Sequence, residues 1–222
     1  MYQVKSAIFD LDGTLVDSLP GIRQSFLHAI RTLGHAIEDD FDIRPIVGPP
    51  IAQGFQHVLR GYGDDRISEA VALYRSHYRD VGLRETVLYP HVAQALMKLK
   101  ERGFHLYVAT SKRQRFAEQI ITNNQIGDYF DRVAGTTDDG RLDDKSRLLA
   151  QLLGVSHIDS SNAVMIGDRS SDIVAAKANG ISSIGVLWGY GDLSELKMAG
   201  AETLCDNIAC LPFCIMSAVN RH

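Results

Sequence analysis

The sequence predicts an α/β fold: a doubly wound, Rossmann-like parallel sheet that is interrupted after its first strand by an all-helical insert. Three observations support this prediction. An unbroken apolar run, Ala7-Ile8-Phe9, is typical of a strand buried on both faces. Residues 18–85 show helical periodicity without strands, and from Tyr89 onward short apolar runs alternate with helical segments. Such alternation indicates right-handed βαβ units.

Length and composition are those of an ordinary soluble globular protein. The 222 residues fit one large domain, or a core with a smaller insert, and 45% of them are hydrophobic. The net charge of −4 offers no basic field for nucleic acid. No apolar run approaches the ~20 residues of a membrane span. We therefore expect neither a nucleic-acid nor a membrane partner.

The two ends of the chain suggest a location. The apolar run that starts at Ala7 leaves no room for a signal peptide before it, so we expect none. The three cysteines are confined to the C-terminal segment, whereas a disulfide framework or a zinc site would be spread over the elements that it joins. This distribution favours reduced thiols in a cytoplasmic protein.

The insert is predicted to contain three helices. The first carries apolar residues at helical spacing from Ile22 to Leu33, the second follows Gly48-Pro49-Pro50 and ends near Gly61, and the third runs from Ile67 to Gly82. We predict an α/β catalytic core over residues 1–15 and 86–222, and a helical cap domain over 16–85. The cap is expected to cover the strand ends as a lid.

After the insert, each predicted helix leads into a strand. The predicted helices are 91–102, 114–124, 145–153 and 171–179, and the predicted strands are 104–110, 131–134, 163–166 and 183–186. A short helix and strand follow over 193–204. The tail from residue 205 is predicted to pack as a last strand-to-helix element with no chemistry of its own.

Two carboxylates, Asp10 and Asp12, follow the first strand and precede Gly13-Thr14. Residues at i and i+2 of a strand point to the same side, so both can converge beyond the strand end, where ligands bind in open α/β sheets. Adjacent carboxylates repel unless a cation lies between them or one is protonated, and Mg²⁺ prefers carboxylate oxygens. The alternative is a turn or a helix cap, because Asp and Gly are common in both.

Two further polar motifs follow predicted strands. Thr110-Ser111-Lys112 follows the strand 104–110, where a hydroxyl and backbone N–H groups can hold a phosphate oxygen or, alternatively, cap the next helix. Gly167-Asp168 follows the strand 163–166, and Asp168 and Asp172 are four residues apart, so they can share one face of a helical turn. Asp168 alone could be a cap, but acidic turns after two apolar strands favour a common site.

Lys145 begins a predicted helix, where the helix dipole slightly disfavours a cation. A lysine in this unfavourable position is compatible with the binding of an anion, although a lysine at a helix start is usually exposed to solvent. Together the motifs supply several carboxylates for a cation and a hydroxyl and an ammonium for an oxyanion. Phosphoryl transfer requires this set of groups, because the protein mainly positions and neutralises charge on the phosphoryl oxygens.

The motifs resemble, in order along the chain, the four signatures of the haloacid dehalogenase-like (HAD) hydrolase superfamily. The segment from Phe9 to Ser18 resembles the first signature, Ala109-Thr110-Ser111 the second, Lys145 the third, and Gly167-Asp168 through Asp172 the fourth. The helical insert lies where subclass I of the superfamily has its cap. The similarity is closest to the phosphoglycolate phosphatase-like branch.

The resemblance implies a Mg²⁺-dependent phosphatase that hydrolyses a small phosphate monoester through an aspartyl-phosphate. Asp10 would be the nucleophile and Asp12 the general acid and base. The Mg²⁺ ion would be held by a carboxylate oxygen of Asp10, the backbone carbonyl of Asp12, and Asp168. The acid at Asp12 disfavours dehalogenase and phosphonatase chemistry.

The remaining implied roles concern the phosphoryl group. Thr110 would hydrogen-bond it, with Ser111 also in the phosphate-binding set, and Lys145 would offset its charge and that of Asp10. Asp172 would support Lys145 and the hydration of the metal without binding the ion directly. One departure from the pattern is His91, where many relatives have glycine. It would either reach the mouth of the site or be an ordinary surface group.

The predicted partner is a small phosphorylated metabolite, with phosphoglycolate as the first choice. A 5′-nucleotide is an alternative substrate, and a phosphosugar mutase is an alternative enzyme of the same superfamily. Outside enzymes, the alternative is a non-catalytic binding module, which the retention of Asp10, Asp12 and Lys145 disfavours. The sequence leaves the oligomeric state, monomer or dimer, open.

Overall fold

The computed structural model describes residues 5–219, and this part of the chain divides into two compact units. One unit contains the described residues up to Val16 together with those from Leu88 onward. The other unit is Asp17–Val87. No helix within residues 5–219 is both long and apolar enough to cross a membrane.

The larger unit is built on a six-stranded sheet. The strands of the described chain are β1 (Ser6–Phe9), β2 (Val16–Asp17), β3 (Val87–Leu88), β4 (His105–Arg113), β5 (Arg132–Thr136), β6 (Ala163–Gly167), β7 (Ser182–Val186) and β8 (Thr203–Cys205). The six-stranded sheet has the order β5-β4-β1-β6-β7-β8, and every pairing in it is parallel. The predicted doubly wound parallel sheet is therefore confirmed.

Helices follow the strands of this sheet along the chain. The helices of the larger unit are α4 (Val92–Glu101), α5 (Gln114–Asn123), α6 (Lys145–Val155), α7 (Ser170–Ala178), α8 (Leu193–Ala199) and α9 (Leu211–Val219); those of the smaller unit are α1 (Leu19–Thr32), α2 (Ile51–Gly61) and α3 (Ile67–Asp80). Side chains of β1 and β6 pack against α6 and α7 in a buried cluster that includes Ile8, Met165 and Leu149. Each such buried side chain stabilises the fold by about 2 kcal/mol.

The strand register determines where the polar motifs lie. β1 is buried along its whole length and lies between β4 and β6. Phe9 is level with Val108 on one side and with Ile166 on the other. Because the three strands are parallel and in register here, the residues that follow them along the chain are neighbours at one edge of the sheet.

The smaller unit is helical, with an aromatic core. Phe26 of α1 stacks on Phe55 of α2, with ring centroids 4.3 Å apart, and Tyr74 and Tyr78 of α3 stack at 5.5 Å. A Cβ at position 21 would clash with the backbone carbonyl of Gly82, so the close approach of these two backbone segments requires Gly21. β2 and β3 form a separate two-stranded sheet. The sequence did not predict these strands, because two residues are too few to show a period.

His91 has the backbone conformation that favours glycine. Its φ is 71°, and it lies immediately before α4 with an exposed side chain. A left-handed conformation costs a residue other than glycine roughly 1–2 kcal/mol. Glycine avoids this cost, but the larger conformational entropy of its unfolded chain offsets about 0.5–1 kcal/mol of the gain. His91→Gly is therefore expected to stabilise the protein by up to about 1 kcal/mol, measured by denaturant unfolding.

The matched control is His157→Gly, because His157 also has a positive φ, 52°, and is exposed. Both variants should gain stability and retain the wild-type kcat/KM. A loss of kcat/KM in His91→Gly alone would assign the His91 imidazole a direct part in the reaction.

Candidate active site

Three buried carboxylates converge at the edge of the sheet where β1 and β6 end. Asp10 directly follows β1, Asp168 directly follows β6, and Asp172 lies in the first turn of α7. One carboxylate oxygen from each lies within 4.8 Å of the others, in an arrangement that can hold a metal ion. All three side chains are buried. The backbone N–H of Asp10 donates to the carbonyl of Ile166 at 2.8 Å, which continues the β1–β6 ladder to the site.

Lys145 provides an ammonium within this group. It is the first residue of α6, whose N-terminus is capped by Asp144, with the Asp144 carboxylate 2.9 Å from the N–H of Arg147. Lys145 Nζ lies 2.9 Å from Asp10 Oδ1 and also pairs with Asp172 Oδ1. Burial opposes the charged ammonium, but the two carboxylates outweigh burial, so the pKa of Lys145 is raised. The side chain is therefore a fixed cation.

Asp168 is positioned by close backbone packing and two hydrogen bonds. Thr14 Oγ1 donates to Asp168 Oδ1 at 3.0 Å, and the backbone N–H of Tyr190 donates to Oδ2 at 2.8 Å. A Cβ at position 13 would clash with the Asp168 carboxylate, and Gly13 also has a φ of +82°. Trp188 Nε1 donates to the Thr14 carbonyl at 3.1 Å and so fixes the residue that holds Asp168.

Asp12 is next to a second lysine, Lys112, which was not predicted to belong to the site. Asp12 Oδ2 lies 3.1 Å from Lys112 Nζ, whereas Asp12 Oδ1 is buried and, within residues 5–219, lacks a hydrogen-bond partner. Thr110 is buried, and its Oγ1 accepts the backbone N–H of Lys112 at 3.2 Å. Ser111 is half-buried, and its backbone carbonyl accepts a hydrogen bond from Thr136 Oγ1 at 3.3 Å.

The available signal for Lys112 was its position in the motif Thr110-Ser111-Lys112, directly after the predicted strand. In the structure β4 continues through this motif, with an irregular register against β5 between Ala109 and Arg113. A lysine two residues after a predicted phosphate-binding threonine was therefore a candidate for the same site. Sequence alone does not give its partner, because the long lysine stem reaches many positions.

The charge balance of the site favours a bound cation. Burial raises the pKa of Asp10 to about 7, a shift that Lys145 opposes and Asp172 and Asp12 reinforce. Burial, followed by repulsion from Asp10 and Asp172, raises the pKa of Asp168 to about 8. With all three carboxylates ionised, one ammonium would leave two negative charges uncompensated, so the cluster takes up either protons or a cation. The donors are all oxygens, which suit a hard divalent ion such as Mg²⁺.

Asp172 is less available to a metal than Asp10 or Asp168. Its Oδ1 pairs with Lys145, and its Oδ2 accepts the backbone N–H of Arg169 at 3.0 Å in a capping box. With both oxygens engaged by the protein, Asp172 is suited to hold Lys145 and the first turn of α7. The structure thus brings Asp10, Asp168, Asp172 and Lys145 into one cluster, and Asp12 pairs with the side chain of Lys112. The hydrogen bond of Thr110 to Lys112 is to its backbone and is local to β4.

The fold and site define a class of protein: α/β enzymes with an acidic site at the carboxyl ends of a parallel sheet. A family model described as haloacid dehalogenase-like hydrolase matches residues 7–186. The chain belongs to the haloacid dehalogenase-like hydrolase family, as the four motifs predicted.

Individual relatives and a solved structure show which members of this family the chain resembles. A 5′-nucleotidase of Pseudomonas aeruginosa is 35% identical over 204 residues, which cover 92% of each chain. A phosphoglycolate phosphatase of Vibrio vulnificus is 28% identical over 214 residues, 93% of this chain and 94% of that relative. The crystal structure of a predicted phosphatase from Clostridium acetobutylicum has a TM-score of 0.90 and 34% identity, covering 97% of this chain and 99% of that one. The predicted enzyme class, an HAD-type phosphatase acting on phosphate monoesters, is confirmed.

Proposed function

We propose that this phosphatase hydrolyses a small phosphate monoester, phosphoglycolate-like in character, through an aspartyl-phosphate on Asp10, with Mg²⁺ as cofactor. The observation that supports this most directly is the cluster of Asp10, Lys145, Asp168 and Asp172. A carboxylate next to a fixed ammonium, with further carboxylates for a cation, can bring a phosphoryl group to a nucleophile and neutralise its charge.

The reaction divides into two displacements. In the first, a carboxylate oxygen of Asp10 attacks phosphorus, the ester P–O bond breaks, and Asp12 gives its proton to the leaving oxygen. In the second, Asp12 takes a proton from water, whose oxygen attacks phosphorus and releases phosphate and the Asp10 carboxylate. Asp12 therefore acts once as acid and once as base, and the enzyme returns to its starting state.

The other residues of the proposed site act on charge and position. Thr110 and Ser111 bind oxygens of the phosphoryl group, and Lys145 offsets their charge throughout. The Mg²⁺ ion would be held by Asp10, the backbone carbonyl of Asp12, and Asp168, with Asp172 supporting Lys145 from outside the ligands. When bound, the ion supplies further positive charge for the phosphoryl oxygens.

Lys112 supports a substrate with a second anionic group. Its side chain is only 7% exposed, and its ammonium lies beside Asp12, which as the proposed acid would face the leaving group. A carboxylate on the leaving group, as in phosphoglycolate, would bind this ammonium alongside Asp12. We also propose that the helical unit Asp17–Val87 is the cap that selects the leaving group. The nucleotidase relative makes a 5′-nucleotide the alternative substrate, since its similarity extends over 92% of this chain.

The experiment is phosphate release from matched esters in the presence of Mg²⁺ or EDTA. Phosphoglycolate is compared with ethyl phosphate, which lacks the carboxylate, and with 5′-nucleotides and sugar phosphates. We expect Mg²⁺-dependent release, with a kcat/KM for phosphoglycolate at least about 10-fold above that for ethyl phosphate, the value of one charged hydrogen bond.

The variant that tests the role of Lys112 is Lys112→Met, which should reduce the ratio of kcat/KM for phosphoglycolate to kcat/KM for ethyl phosphate. A preference for a 5′-nucleotide would replace the proposed substrate and retain the reaction. An isomeric phosphosugar as the product would indicate a mutase, and no turnover by folded, Mg²⁺-bound protein would indicate a binding module.

The localisation that we propose is cytoplasmic, on the distribution of the cysteines alone.

A further inference from the structure

Arg113, the last residue of β4, joins two segments that the proposed reaction uses but that are distant in sequence. β4 carries Thr110 and Lys112, and α6 begins with Lys145. Between β5 and α6 the chain runs through residues 137–144, which contain no helix or strand. The position of this loop determines where α6 begins, and therefore where the Lys145 stem starts.

The Arg113 guanidinium holds this loop at both ends. Its Nη1 donates to Thr136 Oγ1 at 3.2 Å and to the Thr137 carbonyl, where the loop begins. The same nitrogen donates to Asp143 Oδ1 at 2.7 Å, two residues before Lys145. The Arg113 side chain is 19% exposed and that of Asp143 is 33% exposed, so this charged hydrogen bond is partly protected from water. The two N–H groups of Nη1 are shared among these acceptors, which lie at the two ends of the loop.

We propose that Arg113 is a positioning residue for Lys145: by fastening residues 137–144 to β4 it holds the Lys145 ammonium against Asp10. This inference rests on the proposed role of Lys145. Lys145 Nζ is 2.9 Å from Asp10 Oδ1, and both groups are buried, so a small displacement of α6 would separate the ammonium from the reacting carboxylate. A misplacement of about 1 Å in such a site costs up to about 10²-fold in rate.

The same loop contains a matched control. Arg141 pairs with Asp139 of its own loop, and its side chain is 84% exposed. An exposed ion pair of this kind contributes little to stability. Arg141→Gln therefore removes an equal charge that contacts the same loop without releasing the loop from β4.

The test is a double-mutant cycle on turnover of p-nitrophenyl phosphate, whose good leaving group keeps weak activities measurable. The variants are Arg113→Gln, Lys145→Ala, the double variant and Arg141→Gln, each with its unfolding curve. We expect Arg113→Gln to lower kcat by roughly 10- to 100-fold with KM changed less than about 3-fold. In the Lys145→Ala background the same change should cost less than about 2-fold, because there is no ammonium left to position. Arg141→Gln should stay within about 2-fold of wild type.

Each outcome distinguishes the inference from the function on which it rests. An equal loss from Arg113→Gln in both backgrounds would show that Arg113 acts independently of Lys145 and would overturn the inference. Wild-type kcat in folded Arg113→Gln would overturn it as well. An unchanged kcat in Lys145→Ala would instead remove Lys145 from the proposed mechanism. If Arg113→Gln does not fold, Arg113→Lys replaces it in the cycle, with an intermediate kcat expected and the same non-additivity required.

Discussion

Asp10→Asn is expected to lower phosphate release by at least about 10⁴-fold, since it removes the proposed nucleophile without changing the shape of the side chain. The protein should remain folded. The asparagine side chain still fills the position after β1, and the backbone hydrogen bond to Ile166 does not involve the side chain. Lys145 loses one ionic partner but keeps Asp172. The loss would therefore come from chemistry, as an unchanged unfolding curve would establish.

Asp12→Asn is the matched control, because it removes a carboxylate from the same turn without removing the nucleophile. General acid and base catalysis contributes about 10² to 10⁴-fold, so its loss should be smaller than that of Asp10→Asn. With p-nitrophenyl phosphate, whose leaving group needs no proton, this variant should release one equivalent of nitrophenol and then slow. A burst in Asp12→Asn and none in Asp10→Asn would support an aspartyl-phosphate. More than about a tenth of wild-type turnover in Asp10→Asn would eliminate Asp10 as the nucleophile.

Raising the pH is expected to destabilise the metal-free protein, and Mg²⁺ should restore stability most at high pH. The ordinary pKa of both Asp10 and Asp168 is 3.8, and in the folded protein the pKa values are about 7 and about 8. Because folding raises these pKa values, the native state binds more protons than the unfolded state at any pH between the unfolded and the folded pKa values. The stabilisation is complete below about pH 4 and is lost as the pH rises through about 7 and about 8.

The magnitude follows from the linkage between pKa and stability. A pKa that differs by one between the folded and unfolded states corresponds to about 1.4 kcal/mol. The two buried carboxyls together therefore make a pH-dependent contribution on the order of several kcal/mol. The measurement is the free energy of unfolding from about pH 5 to about pH 9 in EDTA and in Mg²⁺. The difference between the two conditions should widen with pH if the ion binds at this cluster.

Two carboxyl variants test whether the pH dependence and the Mg²⁺ response arise at this cluster. Asp168→Asn should flatten the pH dependence in EDTA and weaken the response to Mg²⁺, because it removes one buried charge and one proposed ligand. Asp39→Asn, at a position where the side chain is 91% exposed, should behave as wild type. A Mg²⁺ response that is the same at both ends of the pH range would place the ion elsewhere.

The sequence predicts most of the sheet because buried strands have a strong local signal. β1 and β6 are buried along their whole length, and each contains an apolar run next to turn residues. The ends of these strands place Asp10 and Asp168, so the acidic part of the site also follows from local pattern. Strand bounds were less exact: β4 was predicted to end at residue 110, but it continues to Arg113. The extra residues are polar, and no apolar period marks them.

The partners of long charged side chains were not predictable in the same way. Lys112 and Arg113 are separated in sequence from Asp12 and Asp143, and only tertiary structure brings each pair within 3.1 Å and 2.7 Å, respectively. An ion pair has no sequence period, and most lysines and arginines are solvated. Burial of the side chain, which requires the fold, distinguishes these two residues from solvated lysines and arginines.

The position of β1 in the middle of the sheet determines when the active site forms during folding. β1 is among the first residues of the chain, yet its two neighbours in the sheet, β4 and β6, begin at residues 105 and 163. Pairings of such large sequence separation form slowly, since closing long loops costs entropy before any contact repays it. The Asp10–Lys145–Asp168 cluster can therefore exist only once the chain has closed around its own N-terminal strand. Activity and Mg²⁺ binding should then appear late and together during refolding, after most of the helical signal has returned.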